Sequence, residues 1–253
     1  MSLSNRVADA TFTKFIDVSF LQATDLLGLY EFRGPTPTRN KAGVTDLVVT
    51  GSPTYVDTGV IVSRTNGFDT GYARPVGDFS YAALVRGADV PIFETNGVLF
   101  VNELNNGGST SASNGNHLGY RASTIVGNRG VAGYFAQFGS STIVSATIPV
   151  TVFDPTKHYL MAMTRIGFAV KTYLFDVGRT PTTASNTTPS TETVPRNIQI
   201  GTYTGIAGAS LAGSGEITGA AIWHRGLSLA DLQDVYDYYS LKAPQLGVTL
   251  AGA

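Results

Sequence analysis

The sequence contains no cysteine and few charged residues. Without cysteine the chain has no disulfide, no zinc–thiolate site and no cysteine nucleophile. Charged residues make up 14% of the 253 positions and the formal net charge is −1, whereas an average soluble domain has about 25% charged residues. Because no Lys/Arg cluster supplies the positive surface that nucleic acids require, we expect no nucleic-acid partner.

Long apolar runs are also missing. No uninterrupted apolar stretch approaches the roughly 18 residues that a membrane-spanning helix needs, and no apolar export segment follows Met1 to Arg6. We therefore expect a soluble chain with no membrane partner. Its 29 glycines and abundant Ser and Thr indicate a neutral, turn-rich surface. An extracellular type of surface without an export signal suits a particle released by lysis, so we expect a virion or extracellular location.

Short apolar runs bounded by turn residues begin at Leu26, and this pattern is typical of β-strands. The run Tyr159–Ile166 is apolar on both alternating faces, which predicts a central strand covered on both sides. Gly167 then predicts a hairpin to the next run. Many short strands with turns between them predict an antiparallel sandwich or barrel. The predicted strands are 27–32, 45–50, 54–62, 79–85, 97–104, 141–150, 159–166, 169–177 and 197–203, and the polar segments 105–116 and 178–195 are predicted surface loops.

One stretch, His224–Ser240, has the pattern of an α-helix. Ser228 stands at the N-cap position, where its hydroxyl can accept a hydrogen bond from the amide of Asp231. A helix with one apolar face can cover the exposed apolar surface of a sandwich, which explains a single helix in an otherwise strand-rich chain. The apolar face is predicted to consist of Leu229, Leu232, Val235, Tyr236 and Tyr239.

The strand that precedes this helix carries a more specific signal. Ile222, Trp223, His224, Arg225 and Leu227 lead directly into the capped helix. This ending resembles the closing segment of the laminin-G-like, concanavalin-A-like jelly rolls. Segment 157–178 is similar to the central hairpin of that family, and segments 26–32, 66–72 and 78–87 are similar to its opening strands. The resemblance covers Leu26 to Leu241 and implies an all-β, antiparallel jelly-roll sandwich with one short C-terminal helix.

These observations divide the chain into three parts. Residues 1–25 are predicted to be an N-terminal arm or attachment segment, residues 26–242 the jelly-roll domain, and residues 243–253 a C-terminal tail. The arm has apolar residues at a spacing compatible with a short amphipathic helix that packs on something else. They are predicted to contact other virion subunits or to lie within a homo-oligomer, for example a trimer. These residues are Phe12, Phe15, Ile16 and Phe20.

Catalytic patterns of the jelly-roll superfamily are absent. Glycanases of this kind carry E-x-D-x-x-E on one strand, and none of the five glutamates here has an Asp two residues later. The G-x-S-x-G elbow, H-E-x-x-H and the G-x-x-x-x-G-K-[ST] loop are missing too. We therefore predict that the protein is not an enzyme. A polysaccharide hydrolase or lyase, with carboxylates assembled from distant strands, is the alternative.

A carbohydrate site needs amide, imidazole or guanidinium donors beside an aromatic ring. The loop-rich region of the chain supplies such residues, which are our candidate glycan contacts: Asn105, Asn116, His117, Tyr120, Arg129 and Tyr134. Trp223 could serve as a stacking platform, but its position before the capped helix favours packing. The sequence predicts no cofactor and no metal, with Asp57 and Asp69 as weak calcium candidates because both lie in glycine-containing turns.

Together these features predict a non-enzymatic carbohydrate-binding or adhesion module, for instance a phage tail or fibre protein that contacts glycan on the host surface. The same domain as a virion structural or decoration protein without a glycan ligand is the first alternative.

Overall fold

The computed structural model describes residues 24–42, 45–73, 76–87, 97–103, 116–121, 130–136, 143–150, 153–187, 197–203 and 212–253. These ranges contain strands β1 Leu26–Glu31, β2 Val48–Thr50, β3 Thr54–Val56, β4 Gly59–Ser63, β5 Gly67–Ala73, β6 Phe79–Arg86, β7 Val98–Asn102, β8 His117–Arg121, β9 Gly130–Ala136, β10 Ile143–Pro149, β11 His158–Ile166, β12 Ala169–Val177, β13 Thr180–Asn186, β14 Asn197–Ile200 and β15 Ser214–Trp223, and helix α1 Leu229–Leu246.

The strands form two sheets. Sheet A has the order β13-β12-β11-β6-β15-β4-β3, with β1 paired to the second half of β15, and sheet B has the order β10-β9-β8-β7-β14-β5-β2. Neighbouring strands are antiparallel throughout the described ranges. The predicted all-β antiparallel sandwich of the jelly-roll type, with one C-terminal helix, is confirmed.

The main core lies between the two sheets. Alternate side chains of each strand point into it, among them Tyr81 and Val85 of β6 from sheet A and Phe100 of β7 from sheet B. Neighbouring rings pack at close range, for example Phe100 against Tyr120 with ring centroids 5.0 Å apart. The buried aromatic side chains of both sheets therefore form one continuous interior.

Strand β11 is central and covered on both faces, as the sequence predicted. Met161 and Met163 point into the core between the sheets, and Leu160 and Ala162 point to the other side of sheet A, into a second apolar cluster that includes the helix. The predicted hairpin also forms: Ile166 pairs with Ala169 across a turn in which Gly167 has a φ of 58°. A side chain on Gly167 would strain this left-handed conformation.

Helix α1 covers the outer face of sheet A. Its N-cap is Ser228 with Asp231 at N3, and both hydrogen bonds of the capping box are present, as predicted. Leu232, Val235, Tyr236 and Tyr239 are buried as expected, but Leu229 is 44% exposed. Leu229 is the first helical residue and lies outside the buried stripe, so the predicted apolar face is corrected at this position.

The segment 243–253 is part of the domain rather than a free tail. The helix continues past Ser240, includes Pro244 in its last turn and ends at Leu246, and Gly247, with a φ of 67°, forms its C-cap. The chain then runs beside β11: His158 donates from its backbone N–H to the carbonyl of Thr249 at 2.8 Å, and Ala251 donates to the carbonyl of His158 at 2.7 Å. These hydrogen bonds and the burial of Leu250 attach the C-terminus to sheet A.

Other local predictions need correction. The single strand predicted at 54–62 is a hairpin, β3 and β4, with a turn at Asp57 and Thr58. The polar segment 178–195 was predicted as a loop, but residues 180–186 form edge strand β13 on β12. An edge strand forms backbone hydrogen bonds to a neighbouring strand on one side only. A Thr-rich segment can therefore form such a strand without an apolar pattern. No helix within the described ranges is long and apolar enough to cross a bilayer.

Candidate functional site

The sandwich has two ends, and polar side chains are buried at both. At the first, which we call the β7–β8 end, β7 ends at Asn102 and β8 begins at His117. At the second, which we call the Arg86 end, β6 ends at Arg86 and β11 begins at His158. Among the predicted glycan residues whose side chains are described, Asn116 and His117 lie at the β7–β8 end and Tyr120 lies towards the Arg86 end.

At the β7–β8 end a buried carboxylate joins the two sheets. Glu103 directly follows β7 in sheet B and accepts a hydrogen bond from the hydroxyl of Tyr81 in sheet A. Asn116 donates from Nδ2 to Oε2 of Glu103 at 3.1 Å, and Glu103 donates from its backbone N–H to the carbonyl of Asn116 at 2.8 Å. These contacts fix the two points at which the chain leaves β7 and enters β8.

His117 lies beside this group, at the start of β8. It is 4% exposed, and burial lowers the pKa of its imidazole from the ordinary 6.5 to about 3. The ring is therefore neutral at physiological pH and carries no charge for an anionic sugar. The backbone of Tyr134 in β9 pairs with His117, so these two candidates are adjacent in sheet B.

Tyr120 belongs to the core rather than to a surface site. Its ring packs against Phe100 and Phe153, with centroids 5.0 and 5.4 Å away, and the residue is 1% exposed. Its hydroxyl donates to the carbonyl of Arg86 at 2.8 Å, which places it at the Arg86 end. No ring face remains for stacking on a sugar, so the expected role of Tyr120 is corrected to that of a core residue. Asn116 and His117 are buried in the same way.

The remaining candidates lie outside the described residues. Asn105 comes shortly after β7 in the sequence, and β7 ends at the β7–β8 end. Arg129 directly precedes β9, and the first residue of β9, Gly130, pairs with Arg121 at the Arg86 end. Their connecting strands therefore lead to opposite ends of the sandwich. Phe12, Phe15, Ile16 and Phe20 are also outside the described ranges, and all six residues stay predictions.

A second polar cluster, at the Arg86 end, has no signal in the sequence. Glu216 at the start of β15 accepts hydrogen bonds from Thr58 of the β3–β4 turn and, at 3.2 Å, from Nη1 of Arg86. The Nε2 atom of His158 lies 3.3 Å from Oε1 of Glu216. Arg86 also donates from Nε to the carbonyl of Pro155 at 2.7 Å. Four segments that are distant in sequence meet here, and only the strand order of sheet A brings them together.

The chemistry of this cluster is that of a structural ion-pair network. Burial would raise the pKa of Glu216, but the hydrogen bonds from His158, Thr58 and Arg86 together lower it to about 2. Glu216 is thus ionised at neutral pH and cannot donate a proton. A glycosidase needs a second carboxyl group across a cleft, and neither this cluster nor the Glu103 group has one among its described members.

The weak calcium candidates do not form a site in the described part of the chain. Asp57 is exposed in the β3–β4 turn of sheet A, and Asp69 lies on β5 of sheet B. The Oδ1 atom of Asp69 already accepts hydrogen bonds from the Gly71 amide at 2.7 Å and from Nδ2 of Asn197 at 3.3 Å. No group of three or more His, Asp or Glu side chains suited to a metal ion occurs among the described residues. Calcium binding by these two residues stays a prediction.

Trp223 is buried beneath the helix, as the sequence favoured. It is fully buried in the cluster between sheet A and α1, together with Leu227 and Leu232. Its indole packs inside the domain and presents no face to solvent. The stacking role that we considered for it is therefore wrong.

Taken together, the two antiparallel sheets and the helix on the outer face of sheet A define a β-sandwich of the jelly-roll type, with buried polar clusters at its ends. No protein-family model matches the chain, and no curated protein sequence is similar to it. The comparison with solved structures, in contrast, finds clear likeness in fold.

Among the similar structures are receptor-binding domains of botulinum neurotoxins. The receptor-binding domain of the C/D mosaic serotype is 10% identical, with a TM-score of 0.63 over 87% of this chain and 52% of that one. The serotype D ligand binding domain in complex with N-acetylneuraminic acid is 11% identical, with a TM-score of 0.63 over 87% and 52%. The serotype G binding domain is 13% identical, with a TM-score of 0.63 over 86% and 52%. This chain spans about half the length of these structures, and the likeness shows the fold.

Proposed function

We propose that this protein is a non-enzymatic carbohydrate-binding or adhesion module. The observation that carries the proposal is the shared fold: 87% of the chain matches 52% of a ligand binding domain whose structure was solved in complex with N-acetylneuraminic acid. A fold does not by itself determine a ligand. The proposal therefore needs support from the residues of this chain.

The β7–β8 end provides that support. The hydrogen bonds between Glu103 and Asn116 hold the two roots of the connecting segment 104–115 at a defined spacing. The segment is rich in Asn, Ser and Gly, and its amide and hydroxyl groups are suited to hydrogen bonds with sugar hydroxyls. Binding residues in β-sandwiches commonly lie on connections held by a rigid scaffold. Asn105 is the candidate contact from this segment, with Tyr134 nearby in β9.

Binding without turnover fits the chemistry of both polar clusters. Glu103 and Glu216 are single buried carboxylates that accept several hydrogen bonds each. Within the described part of the chain, neither has the paired carboxyl group that glycoside hydrolysis requires. Both clusters instead connect strands, which is the role of a rigid scaffold.

A glycan array with the full chain tests the proposal. We expect binding to a defined set of glycans, with sialylated glycans included because of the serotype D complex. Substitution Asn105→Ala should reduce binding at least about tenfold if the β7–β8 end is the site, because a lost polar contact costs about 1.4 kcal/mol or more. Arg129→Ala tests the other end, and Arg39→Ala, an exposed arginine on the β1–β2 connection, is the control. Array signals at background for every glycan would overturn the proposal.

The finer part of the proposal is the location. We propose a virion protein, such as a phage tail or fibre subunit, because the surface is neutral and hydroxyl-rich and an apolar N-terminal segment precedes the domain. Assembly of the purified chain onto particles together with glycan binding would support this role. Assembly with no glycan binding would support the structural or decoration alternative.

A further inference from the structure

Basic side chains from two distant segments meet where helix α1 lies beside strand β1. Lys41, on the connection after β1, pairs with Glu31 of β1, and the lysine side chain is 42% exposed. Tyr238 of α1 donates its hydroxyl to the same carboxylate at 2.7 Å. The Nζ atom of Lys242, one turn further along α1, lies 5.8 Å from the centre of the Tyr238 ring. The contacts of Glu31 and Tyr238 therefore bring the two lysines into one group.

The group extends to Arg33, at the start of the same connection. Lys242 donates from Nζ to Oε1 of Gln245 at 3.3 Å, and Arg33 donates from Nη1 to the backbone carbonyl of Gln245 at 3.1 Å. We call Arg33, Lys41 and Lys242 the basic surface, and all three are at least partly exposed. No run of basic residues marks this surface in the sequence, because the packing of α1 on sheet A brings its members together.

The cations of the basic surface share a single carboxylate. Burial would raise the pKa of the Glu31 carboxyl group, but its hydrogen bonds and the charges of Lys41 and Lys242 lower it. Glu31 is therefore ionised and balances one positive charge. In the part of the chain that the structure describes, neither Arg33 nor Lys242 has a carboxylate within ion-pair distance. Both contact neutral oxygens of Gln245 instead.

This surplus of positive charge sets the basic surface apart from other described arginines. Arg179 and Arg225 each pair with two carboxylates. Asp46, the one acid on the connection between β1 and β2, accepts a hydrogen bond from the amide of Asn40 at 2.8 Å. Even with Asp46 counted, cations outnumber carboxylates around the basic surface. A local positive surface of this kind attracts anionic ligands to a chain whose net charge is −1.

The number and setting of the cations indicate an acidic glycan as the ligand. A protein that binds duplex DNA tightly makes about six to ten phosphate contacts, and three cations are too few for such an interface. An acidic polysaccharide combines carboxylate or sulfate groups with many hydroxyls. Arg and Lys bind the anionic groups through charge-assisted hydrogen bonds. The exposed side-chain amide of Gln245, next to two of the cations, is suited to a sugar hydroxyl.

We propose that the basic surface binds an acidic polysaccharide, whose carboxylate or sulfate groups lie against Arg33, Lys41 and Lys242. Gln245 contacts a hydroxyl of the same chain of sugars. This inference rests on the proposed carbohydrate-binding function and gives it a ligand class and a second location. The location is at the C-terminal part of α1 and involves no residue of the β7–β8 end.

Binding of the full chain to immobilised polysaccharides, measured by surface plasmon resonance, tests the inference. The probes are polysialic acid, which carries carboxylates, heparin, which also carries sulfates, and uncharged dextran. We expect binding to at least one acidic probe and none to dextran, with an affinity that falls as salt rises, because salt screens exposed charges. The double substitution Arg33→Gln and Lys242→Gln should weaken this binding at least about tenfold.

Two further variants serve as controls. Lys157→Gln with Lys171→Gln removes the same charge from two exposed lysines elsewhere on the domain and should leave the affinity within about twofold of the parent. Arg33→Lys with Lys242→Arg keeps both positive charges and should retain most of the affinity. Circular dichroism verifies that each variant is folded. If the glutamine double variant does not fold, Lys242→Gln alone replaces it, with the same expected direction.

Three results would overturn the inference. An equal loss of binding in the Lys157 and Lys171 control would show that overall charge, and not the basic surface, determines the affinity. Background signals with both acidic probes, together with array binding of neutral glycans that requires Asn105, would exclude this surface and leave the proposed function intact. Tighter binding of single-stranded DNA than of either acidic polysaccharide would assign the surface to a nucleic acid.

Discussion

The hydroxyl of Tyr238 in helix α1 donates a hydrogen bond of 2.7 Å to Oε1 of Glu31 in strand β1, across 207 positions of sequence. The ammonium group of Lys41 pairs with the other carboxylate oxygen. The Glu31 side chain is 7% exposed. Burial would raise the pKa of this carboxyl group, but the hydrogen bonds from Lys41 and Tyr238 lower it below its ordinary value. An ionised carboxylate therefore attaches the helix to the first strand.

The first prediction concerns this contact. Tyr238→Phe removes the donor and leaves part of a buried carboxylate without a hydrogen bond, so we expect the free energy of unfolding to fall by about 1.5–3 kcal/mol. Tyr30→Phe is the matched control. The Tyr30 hydroxyl is buried without a hydrogen-bond partner among the described residues, so its removal should be neutral or slightly stabilising. Urea titrations of both variants measure the difference, and equal destabilisation would contradict the assignment.

The second prediction concerns the helix cap. Ser228 accepts from the Asp231 amide at 3.2 Å, and Asp231 accepts from the Ser228 amide at 2.7 Å. Ser228→Ala should reduce the free energy of unfolding by about 1 kcal/mol, because a helix amide loses its acceptor. Ser228→Asp restores an acceptor and should recover most of that loss. Thermal unfolding monitored by circular dichroism is the measurement, and an alanine variant as stable as the parent would rule out the capping role.

The third prediction compares two leucines of the same helix. Leu232 is fully buried against sheet A, whereas Leu229 is 44% exposed. Leu232→Ala should destabilise the protein by about 2–5 kcal/mol through lost burial and a cavity. Leu229→Ala should change stability by less than about 0.5 kcal/mol. Similar losses for the two variants would mean that the helix is docked on a different face.

The fourth prediction concerns pH. The pKa of His117 is lowered by burial from 6.5 to about 3 in the folded protein. Between these values the unfolded chain binds a proton that the folded chain does not, so stability falls as pH decreases from 6.5 toward 3. The slope from this one group is at most about 1.4 kcal/mol per pH unit. Denaturant titrations from pH 7 to pH 4.5 should show a flatter dependence for His117→Gln than for the parent.

Glu216 provides an internal reference for that experiment. Its pKa is lowered from 4.5 to about 2, so its stabilising contribution is complete above pH 4.5 and is lost as pH falls from 4.5 toward 2. Glu216→Gln should therefore change the pH dependence of stability only below about pH 4.5. A parent-like slope for His117→Gln above pH 4.5 would show that His117 is not buried in its neutral form.

Local patterns predicted much of the fold because each depends on neighbouring residues. The double apolar alternation of Tyr159–Ile166 gave a central strand, Gly167 gave the hairpin turn, and Ser228 with Asp231 gave the start of the helix. The sequence does not predict the edge strand at 180–186, because backbone hydrogen bonds to β12 hold this strand in place. Backbone pairing needs no alternation of apolar side chains, so the sequence of the strand carries no strand pattern. The helix end was placed too early because Pro244 is tolerated near the last turn.

The candidate site was harder to predict, for a physical reason. Tyr120 and His117 have the residue types that carbohydrate sites use, but residue type does not reveal which face of a strand is covered. The cluster of Thr58, Arg86, His158 and Glu216 escaped detection because these residues are separated by long stretches of sequence. Only the order of strands in sheet A brings their side chains within hydrogen-bond distance.

The sequence by itself determined the class of fold, because alternation of apolar residues, turn residues and a capped amphipathic helix act over a few neighbouring positions. Only the tertiary structure decided which polar and aromatic residues come together. The pairing of strands places Glu103 against Tyr81 and Asn116. It also places Glu216 against Arg86 and the aromatic ring of Tyr120 in the core. Burial and hydrogen bonding between distant residues depend on which strands become neighbours, and that choice results from packing of the whole chain rather than from any one segment.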